Sequence, residues 1–509
     1  MPSSTNAAPL PRAWEVFLFT LPAILVGLAL RVVLCSSMPL AFFSPDTNEF
    51  LEGRLFGGSR TFLPKIIYQL PSALDLPFLP SVAIFQHTLG LIGIFASGWL
   101  CVLWLRAWRW WIIPFTMLLA VHPALLWYEH FALPDSIFIV TLITACVAAG
   151  FFFRRKDTLS LVLLFVVLSL VAGARQEGFI FLFFGLALVI RVYWGNWSRF
   201  RIIVPLVAVL AVIGAKLTKT NQGGYMLVTS LIQWAPDQLR TEPAISPRIA
   251  GLRERFREQW PAYPDDHNMS RKIIVGETDA YLVQERQLDP KKVRDASDAL
   301  CKKIAVEIAL RNLWRLPGLA FNKFRAMHLE ALSPDFGPAW AHDKHLVVLF
   351  GKPDGNLPKE HKLMKFYLGQ EYDSRPELQS ALPKIYRILP GDWLSRFHDR
   401  YATIEYSPTL LPGQQVGRQF LPGLPLLYFL AAAGFAAVFL RAGRTISDQQ
   451  LWILTLLFQA FVIFLTGSVR SRYRLSFEPW FLLGAFCFLD FLVCWGRSLL
   501  ARKPAPEEA

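Results

Sequence analysis

Apolar residues come in runs separated by short polar clusters, and many of the runs have the length that a bilayer demands. A helix needs roughly 20 apolar residues to cross the hydrocarbon core. Such runs fall at Trp14–Leu34, Val82–Trp104, Trp111–Trp127, Pro134–Phe153, Leu159–Ala174, Gly178–Ile190 and Ile202–Leu217. Three more follow at Leu421–Leu440, Leu451–Gly467 and Trp480–Cys494. The pattern predicts a mainly α, polytopic helical membrane protein with about ten transmembrane helices and an extracytoplasmic domain. Residues 1–217 form an N-terminal module of seven helices, 218–418 the extracytoplasmic domain, and 419–509 a C-terminal module of three helices with a cytoplasmic tail. No small-residue cleavage site follows the first run, which reads as a retained first span.

Composition and charge sharpen this picture. Apolar residues make up 54% of the chain, with 41 Phe and 17 Trp, which is greasier than a usual soluble domain. A net charge of +14 alone would suit nucleic acid, but the basic residues lie in short clusters between apolar runs, so no nucleic acid partner is expected. The clusters are "RAWR" from Arg106, "RRK" from Arg154, "RVYWGNWSRFR" from Arg191, "RAGR" from Arg441 and "GRSLLARK" from Gly496, with Arg12 before the first span. They occupy every second connection, so the positive-inside rule puts both termini in the cytoplasm. The opposite side receives Ser36–Ser81, Tyr128–Asp135, Ala174–Gly178, Thr218–Arg418 and the cluster "RSRYR", Arg470–Arg474, which breaks the charge rule.

Within the long polar segment, "DALCKKIAVEIALRNLW" from Asp298 has helical apolar spacing. The following "LPGLAFNKFRAMHLEAL" reads as interfacial, because Lys323 and Arg325 would be costly at bilayer depth. The six cysteines show no paired spacing and read as small core residues, favouring neither a disulfide framework nor a metal cluster.

Four polar elements meet on the side opposite the basic loops. "SPDTNEF" (Ser44–Phe50) places Asp46 and Glu49 at i and i+3, which share a face in a helix; the bland alternative is a helix cap with a first-turn acid. "YEHFALPDS" contributes Glu129, His130 and Asp135, where Asp135 is equally suited to open the next helix. "GARQEG" contributes Arg175 and Glu177, a pair that also fits a local salt bridge at a tight turn. "RSRYR" spaces Arg470, Arg472 and Arg474 alternately, so an extended segment would present them on one side. Arginine forks match phosphate oxygens, whether of a substrate or of lipid head groups. Acids and arginines on one membrane face suit a lipid-linked phosphosugar, whose leaving group is anionic and whose acceptor must lose a proton. No metal is assigned: the outer histidines (His130, His267, His328, His342, His345) show no ligand spacing. The cofactor is left unknown, a divalent metal being compatible with the chemistry but called for by no motif.

These segments resemble the GT-C superfamily of polytopic membrane glycosyltransferases, of the protein mannosyltransferase and aminoarabinose transferase kind. The resemblance covers Trp14–Leu217 best: "PDTNEF" after the first span, "IFQHTLGLIGI" from Ile84, "LPDSIFIVTL" after an aromatic-rich turn, and "ARQEG" ahead of another span. The late "SVRSRYRLSFEPW" resembles the family's basic, aromatic loop before a final span. The resemblance implies transfer of a single sugar from a polyprenyl-phosphate or dolichyl-phosphate donor, usually with inversion, to a glycan, lipid or protein acceptor. It implies Asp46 as general base or acceptor-orienting group and Asp135 as a second acid. Arg175, Arg470, Arg472 and Arg474 become candidates for the donor phosphate, and Glu49, Lys65, Glu129 and Glu177 for substrate contacts. The family's acid pair is usually adjacent, whereas Thr47 and Asn48 separate Asp46 from Glu49 here. The implied location is a bacterial inner membrane with a periplasmic active site. Two other readings stay open: a lipid or solute transporter or flippase, and a glycan polymerase or ligase using a lipid-diphosphate donor.

Overall fold

Long apolar runs bounded by Pro, Gly and charge become helices, because in a bilayer only a helix satisfies its own backbone within one segment. The computed structural model describes residues 10–37, 41, 50, 61–76, 78–194, 203, 223–259, 267–325, 424–440, 448–466 and 476–500. Among these the chain is helical with no strand, and the helices number 16. The first eight are α1 Ala13–Ser37, α2 Phe62–Ala73, α3 Phe78–Trp104, α4 Trp108–Ala120, α5 Pro123–Glu129, α6 Asp135–Arg155, α7 Thr158–Ala174 and α8 Phe179–Tyr193. A middle group comprises α9 Gly223–Leu231, α10 Ser246–Gln259, α11 His267–Gln284, α12 Pro290–Arg311 and α13 Leu316–Arg325. The last three are α14 Leu424–Leu440, α15 Asp448–Thr466 and α16 Glu478–Leu500.

Four of these helices, α1, α3, α6 and α16, are long and apolar enough to cross a membrane. The remaining apolar helices, α7, α8, α14 and the apolar part of α15, are shorter. The run Trp111–Trp127 does not form a single helix. It is divided at Val121–His122 into α4, of 13 residues, and α5, of 7. His122 precedes Pro123, and the residue before proline is pushed out of the helical region. At about 1.5 Å rise per residue α4 reaches roughly 20 Å, short of the ~30 Å core. The run Ile202–Leu217 lies, apart from Ile203, outside the described residues.

Helices α1, α3, α4, α6, α7 and α8 pack around a continuous apolar core: α3 lies against α1, α4 and α6, α1 also lies against α4, and α7 lies against α6 and α8. One end of this bundle carries the start of α1, the end of α3 and the α6–α7 turn, together with Arg12, Arg106, Arg109, Arg154 and Arg155. At that turn Lys156 adopts the left-handed conformation, and Asp157 Oδ1 accepts a hydrogen bond from the Ser160 N–H at 2.7 Å. Asp490 of α16 caps α4 at the same end. Its carboxylate accepts from the backbone N–H groups of Arg106 (3.1 Å) and Ala107 (2.9 Å) and from the Trp111 indole (3.2 Å). Those amides are orphan donors at a helix start, so a buried carboxylate is stabilised there. Farther along, α14 and α16 cross closely: a Cβ added to Gly434 would strike the Gly484 carbonyl. Small residues at such crossings are how apolar helices approach in lipid.

The middle group has its own core, built from Val228, Ile249, Tyr281, Ile304 and Ile308 among others, and α9 and α13 dock it on α15. The expected helix from Asp298 is the second half of α12. The first ten residues of the following segment are α13, which rests on α15 with Phe321 exposed; Leu313 and Trp314, in the turn before it, are exposed as well. Buried Glu307 on α12 is held by the N–H groups of Arg240 (2.8 Å) and Thr241 (2.9 Å), the Thr241 hydroxyl (2.7 Å) and Arg311 (2.6 Å). Burial pushes its carboxyl upward, but these donors outweigh it and hold the group below the usual carboxylate range.

A depressed carboxylate stabilises the fold above its unfolded pKa, and the contribution disappears as pH falls through the folded value. Glu307→Gln should therefore cost the middle group about 1–3 kcal/mol at neutral pH. The difference from the parent should close as the pH drops below about 4. Hydrogen exchange of α10–α12 across that pH range measures both effects.

Candidate functional site

The bundle end opposite the arginine-rich one collects the end of α1, the start of α3, the α5–α6 turn and the end of α7. Two ionic clusters are buried there. The first joins three helices. Arg31, near the end of α1, donates from Nε (2.7 Å) and Nη2 (2.6 Å) to the two carboxylate oxygens of Glu129. His87 Nδ1 of α3 lies 2.9 Å from Glu129 Oε2, and His87 Nε2 lies 2.9 Å from His130 Nδ1. All four residues are buried. Arg31 also donates to the Gly27 carbonyl at 3.0 Å.

Small residues make the room this cluster needs. A Cβ at Gly90 would land on the Glu129 carboxylate, and one at Gly27 would crowd the Arg31 guanidinium. Beside the pair lies a cavity of about 30 Å³, lined by Arg31, Gly90, Ser97, Tyr128, Glu129 and Ser136 among others. It has room for about two waters. Ser136 Oγ has no hydrogen-bond partner among the described residues, and a water here would supply one.

The second cluster lies between the start of α6 and the end of α7. Asp135 is buried in the first turn of α6 and makes no side-chain cap; its Oδ1 accepts from Arg175 Nη1 at 2.6 Å. Arg175 also reaches both oxygens of Glu177 at 3.3 Å and stacks over Phe138, 5.6 Å from the ring centre. The local Arg175–Glu177 pair is thus present, and it is extended by Asp135. One guanidinium against two carboxylates leaves this trio formally at −1.

Helix α2 closes over the same end. Thr61 donates to the Ala174 carbonyl at 2.9 Å, and Phe62 fills the space over Gly173. Lys65, one turn along, is fully buried. Tyr68 bonds Gln86 at 2.7 Å, and Gln86 donates to the Leu133 carbonyl at 3.1 Å. Burial, and then the negative charge of Asp135, raise the Tyr68 phenol well above its ordinary value, so it stays a neutral donor. Phe50 packs edge-on against Tyr68 with ring centres 5.6 Å apart, and its carbonyl accepts from Gln69 at 3.3 Å.

Of the residues singled out in the sequence, Lys65, Glu129, His130, Asp135, Arg175 and Glu177 are gathered at this end. Asp46, Glu49, Arg470, Arg472 and Arg474 lie outside the described residues. Three members were missed: Arg31, Cys35 and His87. Cys35 Sγ, a ring nitrogen of His87 and one of His130 lie within 4.8 Å of one another, a grouping able to hold a metal. Cys35 therefore sits among polar ring nitrogens as well as apolar packing. Arg31 carried a signal, because a charge inside an otherwise apolar span is costly unless paired. His87 and Cys35 carried none, since their partners are remote in sequence.

Comparison with protein-family models, with curated proteins and with solved structures finds no match to this chain.

Removing one partner of a buried ion pair leaves the other charge uncompensated. We expect Glu129→Ala to lower stability by about 3–5 kcal/mol, and Gly90→Ala by about 1–3 kcal/mol through displacement of the same carboxylate. Thermal unfolding of the detergent-solubilised protein measures both.

Proposed function

We propose that this chain is a multi-pass membrane glycosyltransferase that moves a single sugar from a polyprenyl-phosphate or dolichyl-phosphate donor to an acceptor hydroxyl or amine. The reaction class comes from the resemblance of its motif segments to GT-C transferases. The observation that carries the reading is Asp135, buried and held by Arg175 at the bundle end away from the arginine-rich loops. The positive-inside rule assigns the arginine-rich end to the cytoplasm and the acidic end to the extracytoplasmic side. We take that side to be the periplasm of a bacterial inner membrane, with about ten spans and the middle helices forming the extracytoplasmic domain.

In this reading the acceptor oxygen attacks the anomeric carbon opposite the phosphate. Asp46 takes the acceptor proton as general base, and the carbon–oxygen bond to the lipid phosphate breaks with inversion. Residues 42–49 connect Ala41 to Phe50, and Phe50 is anchored on Tyr68 beside the Asp135 cluster. Because Arg175 is already engaged by two carboxylates, its part is to position Asp135, and the donor phosphate falls to Arg470, Arg472 and Arg474. Preorganised arginines of this kind stabilise the charge that develops on the leaving group.

A second reading draws on the buried Arg31–Glu129–His87–His130 chain. Ionisable residues linked inside a helical bundle are also how transporters move protons or ions. Purified protein in vesicles separates the two: a transferase consumes lipid-phosphate sugar without net lipid movement, and a flippase moves labelled lipid without consuming it. A polymerase or ligase would instead prefer lipid diphosphates in donor competition.

For the transferase, Asp46→Asn and Asp135→Asn should each lower sugar transfer by about 100-fold or more at unchanged protein level. Asp135→Asn leaves Arg175 its Glu177 partner, so the protein should remain folded. Loss of radiolabelled donor in membranes is the measurement. Full turnover in Asp46→Asn would remove that residue from the chemistry.

A further inference from the structure

The His87–His130 contact poses a proton-counting problem. His87 Nδ1 faces Glu129 Oε2 at 2.9 Å, and the carboxylate, gripped at both oxygens by Arg31, is an acceptor only. His87 therefore donates from Nδ1, and in the neutral ring Nε2 presents a lone pair. That lone pair points at His130 Nδ1, 2.9 Å away. A proton between the two rings would satisfy the contact; so would a metal ion, which uses both lone pairs.

Several independent features favour the ion. Zinc–nitrogen bonds are about 2.0–2.1 Å long, so an ion shared by two nitrogens 2.9 Å apart subtends roughly 90°. Opening the gap to about 3.3 Å would give the tetrahedral angle. A third donor is in place: Cys35 Sγ lies with both ring nitrogens inside a 4.8 Å group and has no hydrogen-bond partner among the described residues. An acidic partner on the far nitrogen of a metal-binding histidine orients the ring and raises its basicity. Glu129 holds that position here, fixed in turn by Arg31 and given space by Gly90. Finally, both rings are buried, at 4% and 0% exposure, while Cys35 is half-buried.

We infer that Cys35, His87 and His130 bind a single transition-metal ion of the zinc class, with Glu129 and Arg31 as the outer pair that orients His87. One thiolate and two imidazoles are soft and borderline donors that select Zn²⁺ over Mg²⁺ or Ca²⁺. Three protein ligands leave a fourth position for water or an anionic group, the arrangement of zinc sites that exchange a ligand. The ion also ties the end of α1 to α3 and to the α5–α6 turn. This inference does not depend on the transferase reading.

The test uses the full chain, with any polyhistidine tag removed, purified in detergent without chelator and loaded with Zn²⁺ or, as a spectroscopic probe, Co²⁺. After removal of free ion, elemental mass spectrometry should find about one ion per chain. The Co²⁺ form should show a thiolate-to-metal charge-transfer band, and Zn²⁺, unlike Mg²⁺, should raise the unfolding temperature. Cys35→Ser should abolish the band and weaken binding, while Glu129→Gln should keep the band and lower affinity about 10–100-fold. Absence of retained ion and of any zinc-dependent rise in the parent protein overturns the proposal, whatever the variants do. So does binding that persists unchanged in Cys35→Ser and His130→Gln, which would put the ion elsewhere.

Discussion

An ionised group taken out of water among apolar helices must find an opposite charge or several donors, or give up its charge. That constraint organises this protein more than any apolar contact does. Arg31 near the end of α1 is met by Glu129, and a side chain at residue 90 would displace the Glu129 carboxylate. Asp135 depends on Arg175 in the same way, across the α6–α7 pair. Asp490 depends on the open amides of α4. Apolar packing allows many helix rotations and offsets; these polar bonds select one of them.

The positions of the helices were legible because span length and polar punctuation are local properties. Pro134–Phe153 became α6 and Leu159–Ala174 became α7 with ends moved by at most two residues. Trp111–Trp127 failed as a unit because hydropathy averages over a window, whereas the break depends on one proline acting on the residue before it. The second ionic cluster was half legible: the Arg175–Glu177 pair is a sequence neighbour, but Asp135 is 40 residues away from Arg175 and nothing local announces the bond. The first cluster was less so, since Arg31 meets Glu129 across 98 positions. Its one readable trace was a lone arginine in an apolar run.

The two clusters lie at one end of the bundle. Asp135, Arg175 and Glu177 form an acidic trio between α6 and α7. Arg31, Glu129, His87 and His130 form a chain of polar contacts that joins α1, α3 and the α5–α6 turn. The first carries a formal net negative charge, and the second pairs a guanidinium with a carboxylate and links that pair to two imidazole rings. Tyr68, Gln86 and the Leu133 carbonyl form a hydrogen-bonded set of their own at the same end.

The Asp490 cap has a consequence for biosynthesis. Its acceptors bond amides 383 and 384 positions earlier in the chain. Until the ribosome has finished the last helix, the short α4 stands in the nascent protein with open amides at its start. The N-terminal module thus waits on the C-terminus for its final arrangement, and a prematurely terminated chain exposes an unfinished helix end to the cell's surveillance of membrane insertion.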